Sequence, residues 1–315
     1  MTKNQVITVD QSIDLPEVTI NLSDDLYNEA SNDNQISGEK LFSELIANCP
    51  DYYYFRSEVE LIEHHASRIA GLLGRGLHVV EYGPGCEQSI KNKSLRFLSG
   101  FKSIESYCAV DVNKNFAESA ARFIGANCNV KKSIHSINNC FSANLSWPDA
   151  NTLLFSFGGL ICNQPLAAND NLSKPLSLWR SQLQKGAHLL VSQDANQDIG
   201  KLQSAYDNKW MERLVLNSLL GSCSNKIAAN NLKYKVVFDN QKQSVILGAL
   251  FLQNQEIILN NKPRLVESGD FMPVVDSYKL TEEQFLNASQ NAGFLPVQTF
   301  RLPNNPIVMH LLRAA

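Results

Sequence analysis

Five short apolar runs recur between residues 77 and 194, and most are set apart by stretches of helical periodicity. They are LHVVEY (77–82), SYCAVDV (106–112), CNVKKSI (128–134), TLLFSFG (152–158) and AHLLVSQD (187–194). The intervening stretches Ser89–Leu98, Lys114–Ile124 and Pro175–Leu183 return apolar residues every three or four positions, the spacing of one helix face. Strands alternating with helices fold as parallel βαβ units. Runs without strict polar–apolar alternation belong to a sheet covered on both faces. The expected class is α/β, with a doubly wound, mostly parallel sheet.

Outside this region the rhythm differs. Residues 1–35 are polar and acidic, and SNDNQIS reads as a mobile loop. Helices are expected from Gly38 to about Asn48 and from about Ser57 to Leu73. After Asp194 the alternation stops. One long helix is expected over Lys201–Leu219, with Leu202, Tyr206, Trp210 and Leu214 on a single stripe. Two long strands follow, YKVVFD and SVILGALFLQNQEIIL, joined by NQKQ as a hairpin. FMPVVDSYKL reads as a further strand. TEEQFLNASQNAGF reads as a helix capped by Thr281 and stopped by Gly293, and IVMHLLR as a buried strand. The core sheet is thus expected at 59–196 and 280–315, interrupted by an insert at 197–279.

Bulk properties exclude several classes. The net charge is −3 and the longest basic run is two residues, so neither nucleic acid nor an anionic membrane is the expected partner. The longest apolar stretch, around Val245–Leu252, is far short of a membrane span, which takes about 20 residues. The first residues lack the apolar core of a signal peptide. The seven cysteines are odd in number and form no Cys-x-x-Cys, which fits thiols in a reducing, cytoplasmic setting. The six histidines show no metal spacing; His64-His65 reads as a helix surface pair, and no metal site is expected. No Gly-x-Ser-x-Gly and no His-Glu-x-x-His occurs. Nothing in the sequence bears on oligomeric state.

The first strand ends in the turn EYGPGCEQS. At the first βα turn of a doubly wound sheet, glycines let the backbone approach a nucleotide-like ligand, and the helix start offers N–H groups. The dinucleotide fingerprint needs a third glycine where this chain has Gln88. Asp111 closes the second strand, 28 residues after Gly83, where a carboxylate can accept from both ribose hydroxyls. A nicotinamide-dependent oxidoreductase would use that carboxylate equally. Glu81-x-Gly83-x-Gly85 resembles the first motif of class I S-adenosylmethionine-dependent methyltransferases, whose ligand has no phosphate.

Several pieces together resemble a narrower group, the histidine-specific methyltransferase family. It includes the enzyme that trimethylates histidine for ergothioneine and fungal relatives acting on tryptophan-derived amines. The pieces are GEKLFSELI, CPDYYYFRSE, EYGPGCEQS, YCAVDVNKNFAESAA, LLFSFGGLICNQP, KLQSAYDNKW and DSYKLTEEQF, in family order. The resemblance implies a seven-stranded Rossmann-like sheet, S-adenosylmethionine as cofactor, and transfer of a methyl group to the nitrogen of a small amino acid or amine. It implies a substrate-binding part formed by residues 1–58 and the insert.

By the same resemblance, Glu81, Gly83, Gly85, Asp111, Cys140 and Phe141 match the cofactor side. Asn163 and Tyr206 match groups holding the amine and carboxylate of the substrate, Tyr53 a tyrosine beside it, and Ser277 a serine at its side-chain end. Leu247 is expected to face the same pocket. Two departures stand out. Val275 replaces the glutamate that grips imidazole in the histidine enzyme, and Cys140 replaces an acid beside adenine. They imply an apolar or aromatic substrate in place of histidine, or a non-catalytic relative that binds the metabolite. The matched residues also have plain structural readings: Tyr206 as part of a core stripe, Asn163 as a turn former, Tyr53 within three consecutive tyrosines, and Ser277 as a strand residue.

Overall fold

The computed structural model describes residues 36–163, 172–225, 227–259 and 261–315. It divides into two compact units, Tyr53–Gln197 with Lys279–Ala315, and Met1–Tyr52 with Asp198–Tyr278. The expected loop at the N-terminus lies outside the described residues.

The chain enters through α1 (Gly38–Asn48), capped by Ser37, whose side chain accepts from the Lys40 N–H, and α2 (Tyr53–Leu73). Then come β1 (Leu77–Tyr82), the glycine turn, and a helical run made of α3 (Glu87–Ser89), a π-helical turn over Ile90–Ser94, and α4 (Leu95–Leu98). Next are β2 (Ile104–Asp111), α5 (Lys114–Asn127), β3 (Val130–Ile137), β4 (Thr152–Ser156), α6 (Ser173–Gln182) and β5 (His188–Asp194). After the insert, α9 (Glu282–Asn291), β11 (Phe294–Phe300) and β12 (Ile307–Ala314) complete this unit.

The core sheet has seven strands in the order β11-β12-β5-β4-β1-β2-β3. β1 to β5 run parallel, whereas β12 is antiparallel to both β5 and β11. β4 is buried along its whole length, consistent with its unbroken apolar run. β3 sits on the edge with Lys131, Lys132 and His135 exposed, and such charges discourage pairing with another chain. Thr281 forms a capping box with Gln284 at the start of α9, and Gly293 leaves the helix at φ 89°. His65 departs from the expected surface pair. It is buried, donates through Nε2 to the Arg301 carbonyl (3.0 Å) and packs on Phe300, while His64 faces solvent.

The second unit contains α1, α7 (Ile199–Tyr206), α8 (Lys209–Ser222), β6 (Leu232–Asp239), β7 (Ser244–Phe251), β8 (Gln255–Leu259), β9 (Lys262–Val266) and β10 (Phe271–Tyr278). β10, β7 and β6 form an antiparallel sheet, and β8 pairs with β9. The expected hairpin joins β6 to β7, where the Asp239 carboxylate accepts from the N–H groups of Gln241 and Lys242. Two expectations fail. The single helix over 201–219 is two helices, because Asn208 turns out of the helix and caps α8, accepting from the Trp210 and Met211 N–H groups. The single strand over 244–259 is two strands in different sheets. Between them the Asn254 side chain accepts from the Ser268 N–H (2.7 Å), tying the break to the turn before β10.

Candidate functional site

In the core sheet β1 is flanked by β2 on one side and β4 on the other, so the strand order reverses there. Ligands of open α/β sheets bind at the carboxyl ends of the strands beside such a reversal. The segments that leave those ends carry the cofactor-side residues expected from sequence. The Gly83 N–H donates to the Val110 carbonyl (3.0 Å), extending the β1–β2 ladder into the turn. Gly83 and Gly85 then take φ values of 66° and 69°, which L side chains rarely adopt. A Cβ on Gly83 would also stand 3.0 Å from a Leu160 methyl. Pro84 holds the bend between them.

Asp111 ends β2, partly exposed, with its carboxylate accepting from the Asn113 N–H (2.8 Å). Asn113 in turn caps α5. The Asp111 carbonyl accepts from the Asn138 N–H (3.1 Å), so the segment leaving β3 starts beside it. Two and three residues on lie Cys140, buried, and Phe141, whose ring stacks on Trp179 at 5.2 Å.

Glu81 lies behind the turn. It is fully buried and accepts from Ser94 Oγ and from the Tyr107 hydroxyl, each at 2.5 Å. Burial nonetheless pushes its carboxyl up to about 7. Its oxygens tie β1 to β2 and to the π-helical turn, so it shapes the glycine turn from inside the core.

After β4 the chain passes through Gly158 and Gly159, both at positive φ, into a 3₁₀ turn over Leu160–Asn163. Gly159 is held to glycine because a Cβ would stand 2.9 Å from the Tyr54 hydroxyl. Asn163 ends that turn, half-buried. The turn is anchored by a residue that sequence reasoning missed: the Gly158 N–H donates to Glu58 Oε1 (2.7 Å), which also accepts from the Ser192 hydroxyl. The other Glu58 oxygen pairs with Lys93 Nζ at 2.5 Å, and the ammonium lies 4.5 Å from the Phe55 ring centre. Glu58 and Lys93 are both buried. The only trace in the sequence is a charged residue on the apolar stripe of each helix.

Tyr53 opens α2 and donates to Asp194 Oδ2 (2.8 Å); Lys279 Nζ pairs with the same oxygen at 3.0 Å. Asp194 and Lys279 are buried, and neither was read from sequence as part of a site.

On the second unit, Tyr206 ends α7, buried, and its carbonyl accepts from the Tyr234 hydroxyl (2.7 Å). Its ring meets Tyr52 edge-on at 6.3 Å. Leu247 of β7 is the direct cross-strand partner of Val275 on β10 and of Val236 on β6. Ser277 follows Val275 on the same face, opposite Val245. Asp276 projects from the other face, paired with Ile246, and accepts from the Tyr278 hydroxyl (3.1 Å). Burial raises its carboxyl.

The cofactor-side residues fit S-adenosylmethionine: a glycine turn with no Cβ in the way, and a carboxylate at the next strand end for the ribose. All seven cysteines are free thiols, and six of them are buried. No helix among the described residues is long and apolar enough to cross a membrane.

Comparison with known proteins agrees with this construction. Residues 26–314 match the family described as "Histidine-specific methyltransferase, SAM-dependent". The N-methyltransferase imqF of Aspergillus flavus is 25% identical over 272 residues, covering 81% of this chain and 72% of that protein. Among solved structures, an S-adenosylmethionine-dependent methyltransferase from Clostridium acetobutylicum superimposes with a TM-score of 0.48 at 11% identity. That match covers 88% of this chain and 97% of the other. With the family match, the Asp111 carboxylate no longer leaves a nicotinamide enzyme as an alternative. The chain belongs to the histidine-specific, S-adenosylmethionine-dependent methyltransferase family, and its cofactor is S-adenosylmethionine.

Proposed function

We propose that the enzyme methylates the amine nitrogen of a small amino acid, or an amine derived from one, whose side chain is apolar or aromatic. The observation that carries this reading is the row Val236–Leu247–Val275 across three paired strands. By the family resemblance, Val275 takes the place of the glutamate that grips imidazole in the histidine enzyme. An imidazole N–H left without an acceptor costs about 1–3 kcal/mol, which disfavours histidine by roughly 5- to 150-fold. Asp276 does not substitute, since it projects from the opposite face of β10. The related fungal protein is itself named as an N-methyltransferase, which favours nitrogen as the acceptor atom.

S-adenosylmethionine supplies a methyl group already electrophilic on its sulfonium, so the chain needs little acid–base machinery. Its task is to hold the substrate nitrogen in line, with the lone pair about 3 Å from its target, and to exclude water. In this proposal the backbone at Gly83 and Gly85 admits the cofactor and Asp111 accepts from its ribose. Asn163 offers an amide donor and acceptor to the substrate's carboxylate and amine. Tyr53, with its proton directed at Asp194, accepts from a substrate N–H. Tyr206, Leu247, Val275 and Ser277 of the second unit are the residues that the family resemblance matches to the substrate's carboxylate and side chain. Attack needs a neutral amine, so the rate should rise toward mildly alkaline pH.

The test is mass spectrometry of products after incubating the protein with S-adenosylmethionine and single amines, at about pH 7 to 9. The panel holds histidine, phenylalanine, tryptophan, leucine and their decarboxylated amines. An apolar or aromatic member should gain mass at least tenfold faster than histidine, and Val275→Glu should narrow or reverse that preference. Histidine as the best wild-type substrate would overturn the specificity. Cofactor binding without product from any amine would overturn catalysis on free amines.

A further inference from the structure

Gln182 is fully buried at the end of α6, far in sequence from every residue matched to the cofactor, yet it joins two of the segments that carry them. Its Nε2 donates to the carbonyls of Cys140 (3.0 Å) and Ser142 (2.8 Å). Its Oε1 accepts from the hydroxyl of Tyr82 (2.6 Å), the last residue of β1 and the neighbour of Gly83. That hydroxyl itself accepts from Trp147 Nε1 (2.7 Å). The direction of the chain follows from elementary chemistry. Indole N–H can only donate, so the Tyr82 oxygen accepts from it and directs its own proton at Gln182. The two loop carbonyls can only accept, so the amide nitrogen must face them. No member can reverse without leaving a buried polar group unpaired, at a cost of about 1–3 kcal/mol. Burial raises the Tyr82 phenol well above its usual range, so the hydroxyl keeps its proton at working pH.

The segment that Gln182 grips begins beside Asp111, through the Asn138 N–H on the Asp111 carbonyl. It is further set by Asn139, whose side chain accepts from the Phe141 N–H (2.8 Å) and whose carbonyl accepts from the Ser142 N–H (2.9 Å). Face-to-face packing of Phe141 on Trp179 completes the support. A base attached to a ribose held at Asp111 reaches this segment next. Cys140 offers no carboxylate there to receive the exocyclic amine, so recognition of the base depends on where the backbone is held.

We propose that Gln182 is a positioning residue for adenine recognition: it locks the Cys140–Ser142 backbone against the end of β1 and so sets the edge that the base meets. The proposal rests on the assignment of S-adenosylmethionine to this core, and the test separates the two. Binding of S-adenosylhomocysteine and of S-inosylhomocysteine, in which a carbonyl replaces the exocyclic amine, is measured by calorimetry on the whole chain. Wild type should prefer the adenine ligand. Gln182→Leu should weaken the adenine ligand about tenfold and the inosine ligand by less than about threefold, so that the preference collapses. Tyr82→Phe, which keeps the ring packing but removes the donor to Gln182 together with the acceptor of the Trp147 indole N–H, should move the preference the same way by a smaller factor and guards against a Gln182→Leu chain that does not fold. Equal weakening of both ligands, or an unchanged preference in a folded variant, would overturn the positioning role. Failure of wild type to bind S-adenosylhomocysteine would overturn the cofactor assignment itself, and this proposal with it.

Discussion

Burial holds the Glu81 carboxyl at about 7 although Ser94 and Tyr107 both donate to it. The sign of the resulting pH dependence follows from linkage. Between its usual 4.5 and about 7 the folded chain keeps a proton that the unfolded chain has released. The stability it contributes is therefore complete below 4.5 and is lost as pH rises through 7. Gln, permanently neutral, removes that loss, with one of the two hydroxyls turning to accept from its amide. Glu81→Gln should unfold in urea like wild type near pH 5 and be more stable by up to about 3 kcal/mol near pH 8. Equal pH slopes for the two proteins would contradict it. Glu81 also shows what a motif conveys. The Glu-x-Gly-x-Gly spacing located the turn correctly, but spacing along a strand end does not say whether a carboxylate faces the ligand or the core. That Val275 and Asp276 face opposite sides was legible because a strand's alternation alone separates them. Gln182 was not, because its partners lie 40, 42 and 100 residues away.

The Glu58–Lys93 pair ties three elements together: α2, the π-helical turn, and the glycine turn that leads to Asn163. A buried ion pair is a poor source of stability, but removing one partner strands the other charge. Lys93→Met should cost about 3–5 kcal/mol in denaturant unfolding. Adding Glu58→Gln to it keeps an amide oxygen for the Gly158 N–H and the Ser192 hydroxyl, and should restore most of the loss. A double variant as weak as the single would show that the charges themselves matter. Element boundaries were readable where period and punctuation agreed, as in the glycine-bounded β1 and the Thr281–Gly293 helix. They failed where a polar side chain redirected the backbone. Asn208 splits one apolar stripe into α7 and α8, and at the break between β7 and β8 the Asn254 side chain is engaged by the distant Ser268 N–H. β9 went unread because Lys262, Pro263 and Arg264 give it neither apolar alternation nor a usual strand composition.

In the folded molecule the last strand of the core carries a buried histidine. His310 lies between Thr299 (3.0 Å) and Gln193 (2.8 Å) and stacks on Phe285 at 4.7 Å; burial lowers its imidazole to about 3. Here the unfolded chain binds the extra proton between about 3 and the usual 6.5, so stability is present above 6.5 and falls as pH drops below it. Wild type should lose about 3 kcal/mol from this group between pH 7 and pH 4, and His310→Gln should flatten that part of the curve. Parallel acid curves for the two would count against it. The parallel α/β class was legible in the sequence because both strand faces are covered and the runs are therefore unbroken. The placement of β12 between β5 and β11 was not, since sheet order is set by long-range packing that no local pattern encodes.

That placement bears on how the protein comes into being. β5 is complete at Asp194, but its neighbour does not begin until Ile307, and residues 195–306 must be synthesised first. At about 5–20 residues per second the ribosome takes on the order of ten seconds to cover that gap. Throughout it, Leu189, Leu190 and Val191 present an unpaired hydrogen-bonding edge. Slow translation across the insert would lengthen the exposure of that edge to self-association.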